Sequence, residues 1–258
     1  MTLLAPMPFT LEGRRALITG GSRGIGAAIA RLFADNGAQV AICHYGDEAG
    51  AAALSAEFAA AGQTLLSITC DVSDEAAVAA LQAEIETAFG GLDILVNCAG
   101  IGGKDKPFET VSIADWDAML AVNLRGVFLV TQAFYPQMKA QGYGRIVNIA
   151  SQLAYKGAPG LAAYVTAKAG VVGFTRALSY EGAPHNVMVN GIAPGPVETP
   201  LLMGHSDEWL AMKKGQLPVN RFGQTDEIAP TALLLASEKG GSFYCGQTLS
   251  PNGGDVMV

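Results

Sequence analysis

The stretch AAYVTAKAG sets Tyr164 four residues before Lys168. On a helix that spacing puts both side chains on one face, a turn apart. A phenol beside an ammonium is a proton donor next to the cation that stabilises its conjugate base. An ordinary tyrosine, with a pKa of about 10, is a poor base near neutrality. At an effective dielectric of about 20, a cation ~4 Å away contributes on the order of 4 kcal/mol. That corresponds to ~3 pKa units before screening. The expectation is a Tyr164 lowered into the range where it both gives and accepts a proton. Ser151, thirteen residues upstream, follows the strand-like run RIVNI, at the end of a strand where α/β folds place ligands. Its hydroxyl can donate to an oxygen on which charge develops. Hydride transfer to a carbonyl leaves such a charge and demands a proton at the same atom. Taken singly, each residue has a plainer reading: a packed helical aromatic, a capping serine and a solvated lysine.

A second element tells between these readings. ALITGGSRGIGAAIA runs from an apolar strand through glycines into a helix. Gly20, Gly24 and Gly26 permit a tight turn and a close backbone approach to an anion at the helix N-terminus, where unpaired N–H groups and the dipole favour negative charge. The spacing is G-x-x-x-G-x-G, without the Gly-Lys-Ser/Thr ending of a nucleotide-hydrolysing loop. A dinucleotide is the ligand that fits a strand–loop–helix of this kind.

The elements that must position these residues alternate along the chain. RALIT (15–19), QVAIC (39–43), LLSIT (65–69), DILVN (93–97), RIVNI (145–149) and VMVNGI (187–192) are short runs rich in branched residues, and GQTLS (246–250) is a last short strand. Helical patterns lie between them. Near-continuous apolar strands separated by helices indicate a parallel sheet covered on both faces. The segment 199–223, TPLLMGHSDEWLAMKKGQLPVNRFG, breaks the pattern and reads as a surface helix pair or as a lid over a site.

Composition sets the outer bounds. The chain has 258 residues, 50% hydrophobic and 15% charged, which suits one α/β domain spanning 1–258 and not a disordered chain. A formal charge of −7 argues against nucleic acid or an anionic membrane as partner. The four cysteines form no CxxC pair and the three histidines no ligand-spaced cluster, so no metal site is expected and reduced thiols in the cytoplasm fit best. The opening MTLLAPMPFTLEGRR lacks a basic n-region, and no apolar run approaches the length of a membrane span.

With these motifs in order, the chain resembles the short-chain dehydrogenase/reductase family from about residue 10 to residue 254. The resemblance rests on TGGSRGIG (19–26), CDV (70–72), NCAG (97–100), VNLRG (122–126), NIAS (148–151), YVTAK (164–168) and APGPVETP (193–200). It implies a doubly wound Rossmann-type α/β domain with a seven-stranded parallel sheet in the order 3-2-1-4-5-6-7. It assigns catalysis to Asn123, Ser151, Tyr164 and Lys168, with Asn123 holding a water on the proton path and Lys168 also binding the nicotinamide ribose. Cofactor contacts are implied for Gly20, Ser22, Arg23, Gly24, Ile25 and Gly26, for His44 and Tyr45, for Asp71 and Val72 beside the adenine, and for Asn97, Ala99 and Gly100 near the adenosine ribose. Pro194, Gly195, Val197 and Thr199 would meet the nicotinamide end. Cys98 replaces the second asparagine of many relatives.

An acid after the second strand would hold the ribose 2′-OH of NAD and repel the 2′-phosphate of NADP. His44 and Tyr45 occupy that place, Asp47 and Glu48 are expected to start the next helix, and Arg23 can reach a 2′-phosphate. NADP(H) is therefore favoured over NAD(H). The overall look is closest to 3-oxoacyl-thioester reductases, with sugar and polyol dehydrogenases as the alternative. Leu129 and His185 stand where reductases using an acyl carrier place basic residues, which puts carrier docking in doubt; Lys104, Lys106 and Lys156 are candidate substitutes. Leu201, Leu202, Met203 and Trp209 are expected to roof the pocket. A dinucleotide-binding regulator without catalysis is the rival of a different class, disfavoured because both Tyr164 and Lys168 are present. No nucleophile–His–acid set supports a hydrolase. Relatives are commonly tetramers built through helices near 112–140 and 162–183 and through the C-terminal region.

Overall fold

The computed structural model describes residues 9–103 and 106–257; the opening octapeptide and Lys104 lie outside the described residues. Seven strands, β1 (Arg15–Thr19), β2 (Gln39–His44), β3 (Leu65–Thr69), β4 (Ile94–Asn97), β5 (Gly144–Ile149), β6 (Val187–Ile192) and β7 (Thr248–Leu249), form one sheet. Its order is β3-β2-β1-β4-β5-β6-β7, and every pairing is parallel. The expected strands are all present. β4 starts one residue late because Asp93 has another role: its carboxylate accepts from Arg15 N at 2.9 Å and Arg15 Nε at 2.8 Å. β7 shrinks to two residues at the sheet edge.

Strand residues alternate between two apolar cores, as a period of two requires. Ala16, Ile18, Val40, Ile42, Val96 and Ile149 meet α1 (Gly24–Asp35), α2 (Glu48–Ala60) and α9 (Ala229–Ala236). Leu17, Ala41, Cys43, Leu95 and Ile146 meet α3 (Glu75–Phe89) and α5 (Gly126–Gln141) on the other face. Cys43 and Cys70, distant in sequence, come together in this second core, where a thiol–thiol hydrogen bond and burial push the Cys43 thiol up.

Local chemistry sets the helix ends. Asp74 caps α3 by accepting from Ala77 N at 2.8 Å, and Gly90 ends it in a left-handed conformation at φ 70°. Helix α4 (Ile113–Leu120), capped by Ser112, passes through a π-turn (Ala121–Arg125) directly into α5. By length and composition the helical stretch Ile113–Gln141 is apolar enough to cross a membrane. Here it is built into the fold, with Val130, Phe134 and Met138 fully buried under the sheet. Two helices follow β5: the four-residue α6 (Leu153–Lys156) and the long α7 (Ala162–Gly182).

Segment 199–223 holds a single helix, α8 (Asp207–Gly215), instead of a pair. Ser206 caps it, Asp207 and Glu208 open it and Lys213 and Lys214 close it, so charges match the helix dipole at both ends. It carries its own small core of Leu210, Leu217 and Phe222, against which Leu202 and Trp209 pack. Those two residues are therefore withdrawn from the expected pocket roof. Leu201 is exposed but reaches back to the turn after β4, since a Cβ added at Gly102 would lie 2.4 Å from its Cδ1. Met203 is exposed. The four-residue α10 (Glu238–Gly241) precedes β7.

Candidate active site

The carboxyl ends of the adjacent parallel strands β1, β4, β5 and β6 lie side by side along one edge of the sheet. Thr19, the last residue of β1, accepts from Cys98 N and Ala99 N, both at 3.0 Å, and so fastens the turn after β4 to the start of the glycine loop. Gly20 follows at φ 63°, where a Cβ would come within 2.8 Å of Ala99 Cα. Gly26 lets α1 sit on the loop, since a Cβ there would meet Gly20 O at 2.3 Å. The N-terminus of α1 at Arg23–Gly24 has no side-chain cap and no acid in its first turn. Its N–H groups and dipole are left to an anion, which is the donor set a dinucleotide pyrophosphate needs. Thr199 lies against this end of α1, with its Cγ2 3.4 Å from where a Gly24 Cβ would stand.

Asn123 sits in the π-turn, with no exposed surface. Its Nδ2 donates to Ile101 O at 3.0 Å, and its Oδ1 accepts from Ile101 N at 3.2 Å. Leu124 packs against Gly170, which brings the turn onto α7. Ser151, separated from the end of β5 by one residue, is buried; its Oγ accepts from Leu153 N at 3.2 Å, so it serves as a turn cap as well as facing Tyr164. Lys168 is buried, and its Nζ donates to Ile149 O at 2.8 Å and stands 5.9 Å from the Tyr164 ring centroid. The structure thus brings Asn123, Ser151, Tyr164 and Lys168 together.

The electrostatics differ from the expectation. Burial pushes the Tyr164 phenol above its ordinary value, opposed by a hydrogen bond with Ser151. Burial also brings the Lys168 ammonium down to about 8. Lys168 Nζ donates to the Ile149 carbonyl, and burial is the largest influence on both groups. Desolvation therefore outweighs attraction. A tyrosine held neutral is a proton donor first, and a base only at alkaline pH.

The cofactor contacts divide. Val72 is buried against Gly126 and Asp71 is half-buried, its Oδ1 accepting from Ser73 N at 2.9 Å. Asn97 is committed to a core network: its Nδ2 donates to Thr131 Oγ1 and Asn148 Oδ1, both at 2.9 Å. Its Nδ2 is spent there, while its buried Oδ1 has no partner among the described residues. Gly195 N donates to Pro251 O at 3.0 Å, and Val197 bridges to Gly223, which fixes the loop 193–199. His44 is buried with Nδ1 lacking a partner among the described residues, and Tyr45 is exposed.

Asp47 is the main departure. It occupies the N-cap of α2 but makes no capping bond. Its carboxylate turns back to the glycine loop, accepting from Ser22 Oγ at 2.6 Å and lying 3.3 Å from Arg23 Nε. The sequence placed Asp47 and Glu48 at the start of α2, where they stand, but spacing alone does not say which way a side chain turns. Thr19 was missed for the same reason. Of the candidate carrier-docking lysines, Lys106 is paired with Asp115 at 2.7 Å and Lys156 with Asp255 at 2.7 Å. Leu129 is buried in the second core, and His185 is exposed.

A doubly wound sheet with a glycine loop after β1 and a Ser–Tyr–Lys set beside it defines a nicotinamide-dependent oxidoreductase, and the chain belongs to the short-chain dehydrogenase/reductase family. A family profile described as Enoyl-(Acyl carrier protein) reductase matches residues 20–255. A 3-oxoacyl-(acyl carrier protein) reductase from Aquifex aeolicus is 40% identical over 248 residues, 96% of this chain and 99% of that protein. An acetoacetyl-CoA reductase from Allochromatium vinosum is 42% identical over 245 residues, 95% of this chain and 99% of that protein. Among solved structures, a protein provisionally called a gluconate dehydrogenase, from Agrobacterium tumefaciens, matches with a TM-score of 0.91 at 32% identity, covering 97% of this chain and 98% of its own.

Proposed function

We propose that this chain reduces the ketone of a short 3-oxoacyl thioester, with the thioester carried on coenzyme A, and that Ser151, Tyr164, Lys168 and Asn123 perform the reaction. The observation that carries the reading is the half-buried Tyr164 beside Ser151, with Lys168 buried one helical turn on and bonded to Ile149 O at 2.8 Å. A nicotinamide dinucleotide bound along the β1–α1 loop supplies hydride. Ser151 Oγ donates a hydrogen bond to the ketone oxygen and fixes it near Tyr164. Tyr164 gives that oxygen its proton as charge develops. Lys168, held by Ile149, orients the ribose and restores the phenol proton, and Asn123 keeps the turn that admits water to the lysine. The 3-oxoacyl thioester is supported by both relatives; the coenzyme A form is supported by the acetoacetyl-CoA reductase and by the pairing of Lys106 and Lys156, which leaves neither as a free cation for an acidic carrier.

NADP(H) over NAD(H) belongs to the same proposal, in a blunted form. Arg23, with 57% of its side chain exposed, is available to a 2′-phosphate, and Asp47 beside it repels that phosphate. A homotetramer in the cytoplasm completes the reading. Its supports are the free cysteines and the exposed aromatics Phe128 and Tyr180 on α5 and α7. The test is loss of absorbance of the reduced nicotinamide with acetoacetyl-CoA, set against gluconate with oxidised cofactor. Turnover of gluconate alone would replace the thioester reading with the sugar-acid one.

A further inference from the structure

We infer that Asp255 is a positioning residue for the carbonyl substrate, tying the lid helix to the loop that carries Ser151. Its carboxylate, with only 5% of the side chain exposed, accepts from three donors on two other segments. Lys156 Nζ reaches Oδ1 at 2.7 Å from α6. Lys213 Nζ reaches Oδ2 at 2.7 Å from the last turn of α8. Gln152 Nε2, on the residue after Ser151, donates to the same Oδ2.

The tail that presents Asp255 is itself fixed. Asn252 Nδ2 donates to Ser250 Oγ at 2.9 Å and to Val256 O at 2.7 Å, while Gly254 N donates to Asn252 Oδ1 at 2.8 Å. Ser250 Oγ donates to Ala193 O at 2.8 Å, and Gln152 N to Pro194 O at 3.1 Å. One carboxylate thus balances two ammonium groups between a rigid tail, the serine loop and the lid. Lys213 keeps only 12% of its side chain exposed, so removing the carboxylate leaves a poorly solvated cation facing the half-buried Lys156, and the two repel. That repulsion acts across the seam between α6 and α8, and it lifts the lid whose Leu201 meets Gly102. The base of the lid is anchored separately, by Glu198 N donating to Gly223 O at 2.9 Å and by Thr199 beside Gly24. The dinucleotide contacts therefore stand apart from the latch.

The inference rests on the ketone-reductase reading, and the experiment separates the two. Asp255→Asn, Asp255→Glu and Lys213→Met would be compared with the parent full-length chain. Measurements are KM and kcat for acetoacetyl-CoA, dinucleotide Kd by fluorescence, melting temperature and the rate of tryptic cleavage after Lys214. Asp255→Asn and Lys213→Met are expected to raise KM about tenfold and speed cleavage about tenfold, with kcat and dinucleotide Kd within about threefold. Asp255→Glu is expected to recover most of both effects. Unchanged KM and unchanged cleavage in Asp255→Asn would overturn the latch. So would a fall in melting temperature with kcat, KM and Kd all worsening together and no recovery in Asp255→Glu. If the parent turns over no ketone, the functional reading fails, and tryptic cleavage still decides the latch.

Discussion

Lys168 donates to the carbonyl oxygen of Ile149, two residues before Ser151, at 2.8 Å. The strand that delivers the serine thus also holds the lysine, and the two catalytic groups keep a fixed separation. Burial brings Lys168 down to about 8, so its charge is present below that pH and lost above it. Tyr164 is raised, so it stays protonated through the same interval. Reductive kcat/KM is expected to be level near neutrality and to fall above about pH 8. A profile flat to pH 10 would show that the lysine charge is not used.

Replacing Tyr164 by Phe removes the proton donor and little else. Turnover should drop by at least ~100-fold, the lower range for general acid catalysis. Dinucleotide Kd should stay within about twofold, read by protein fluorescence. Near-normal turnover would remove Tyr164 from the mechanism.

Arg23 and Asp47 should pull cofactor choice in opposite directions. Arg23→Ala is expected to weaken NADP(H) at least ~10-fold while sparing NAD(H), since a charge-assisted hydrogen bond contributes roughly 1.5–3 kcal/mol. Asp47→Ser should move the preference the other way by removing a carboxylate 3.3 Å from that guanidinium. Isothermal titration with both oxidised cofactors reads both effects. A parent enzyme with much higher kcat/KM for NADH than for NADPH would refute the NADP(H) preference.

A methyl group at Gly26 has nowhere to go, because the obstacle is the Gly20 backbone oxygen and not a flexible side chain. Gly26→Ala should cost about 1–3 kcal/mol of stability through overpacking. It should also weaken dinucleotide binding by shifting the α1 N-terminus. Calorimetry in the absence and presence of cofactor separates these effects, and a stable variant with full affinity would contradict the packing account.

The Arg15–Asp93 pair predicts an acid limit to stability. The Asp93 carboxyl is held below its ordinary value: burial raises it, and Arg15's hydrogen bonds and charge outweigh that. Its contribution is complete above the unfolded carboxylate pKa and is lost as pH falls through the lower folded value. In Asp93→Asn the loss of stability relative to the parent should be largest near neutrality and shrink in strong acid. A difference constant from pH 7 to pH 2 would argue against this ion pair.

What the sequence determined by itself is what short-range pattern encodes. Alternating apolar strands and helical runs dictated a parallel sheet because each face of RALIT or RIVNI must find a cover. The glycines of TGGSRGIG dictated a turn that only they can make, and Tyr-x-x-x-Lys placed its pair on one helical face. Tertiary structure decided where side chains turn and what their surroundings do to their charge. Asp47 reads as a helix opener until the fold brings Ser22 and Arg23 to it. Asn97 sits in a cofactor motif, yet Thr131 and Asn148 occupy its amide. Asp255 lies in a tail with no local signal, and only folding brings Gln152, Lys156 and Lys213 around it. The direction of the Tyr164 shift belongs to the same class. The neighbouring lysine is legible at four residues' distance, but desolvation is a property of everything packed around the pair, and in this chain it is the larger effect.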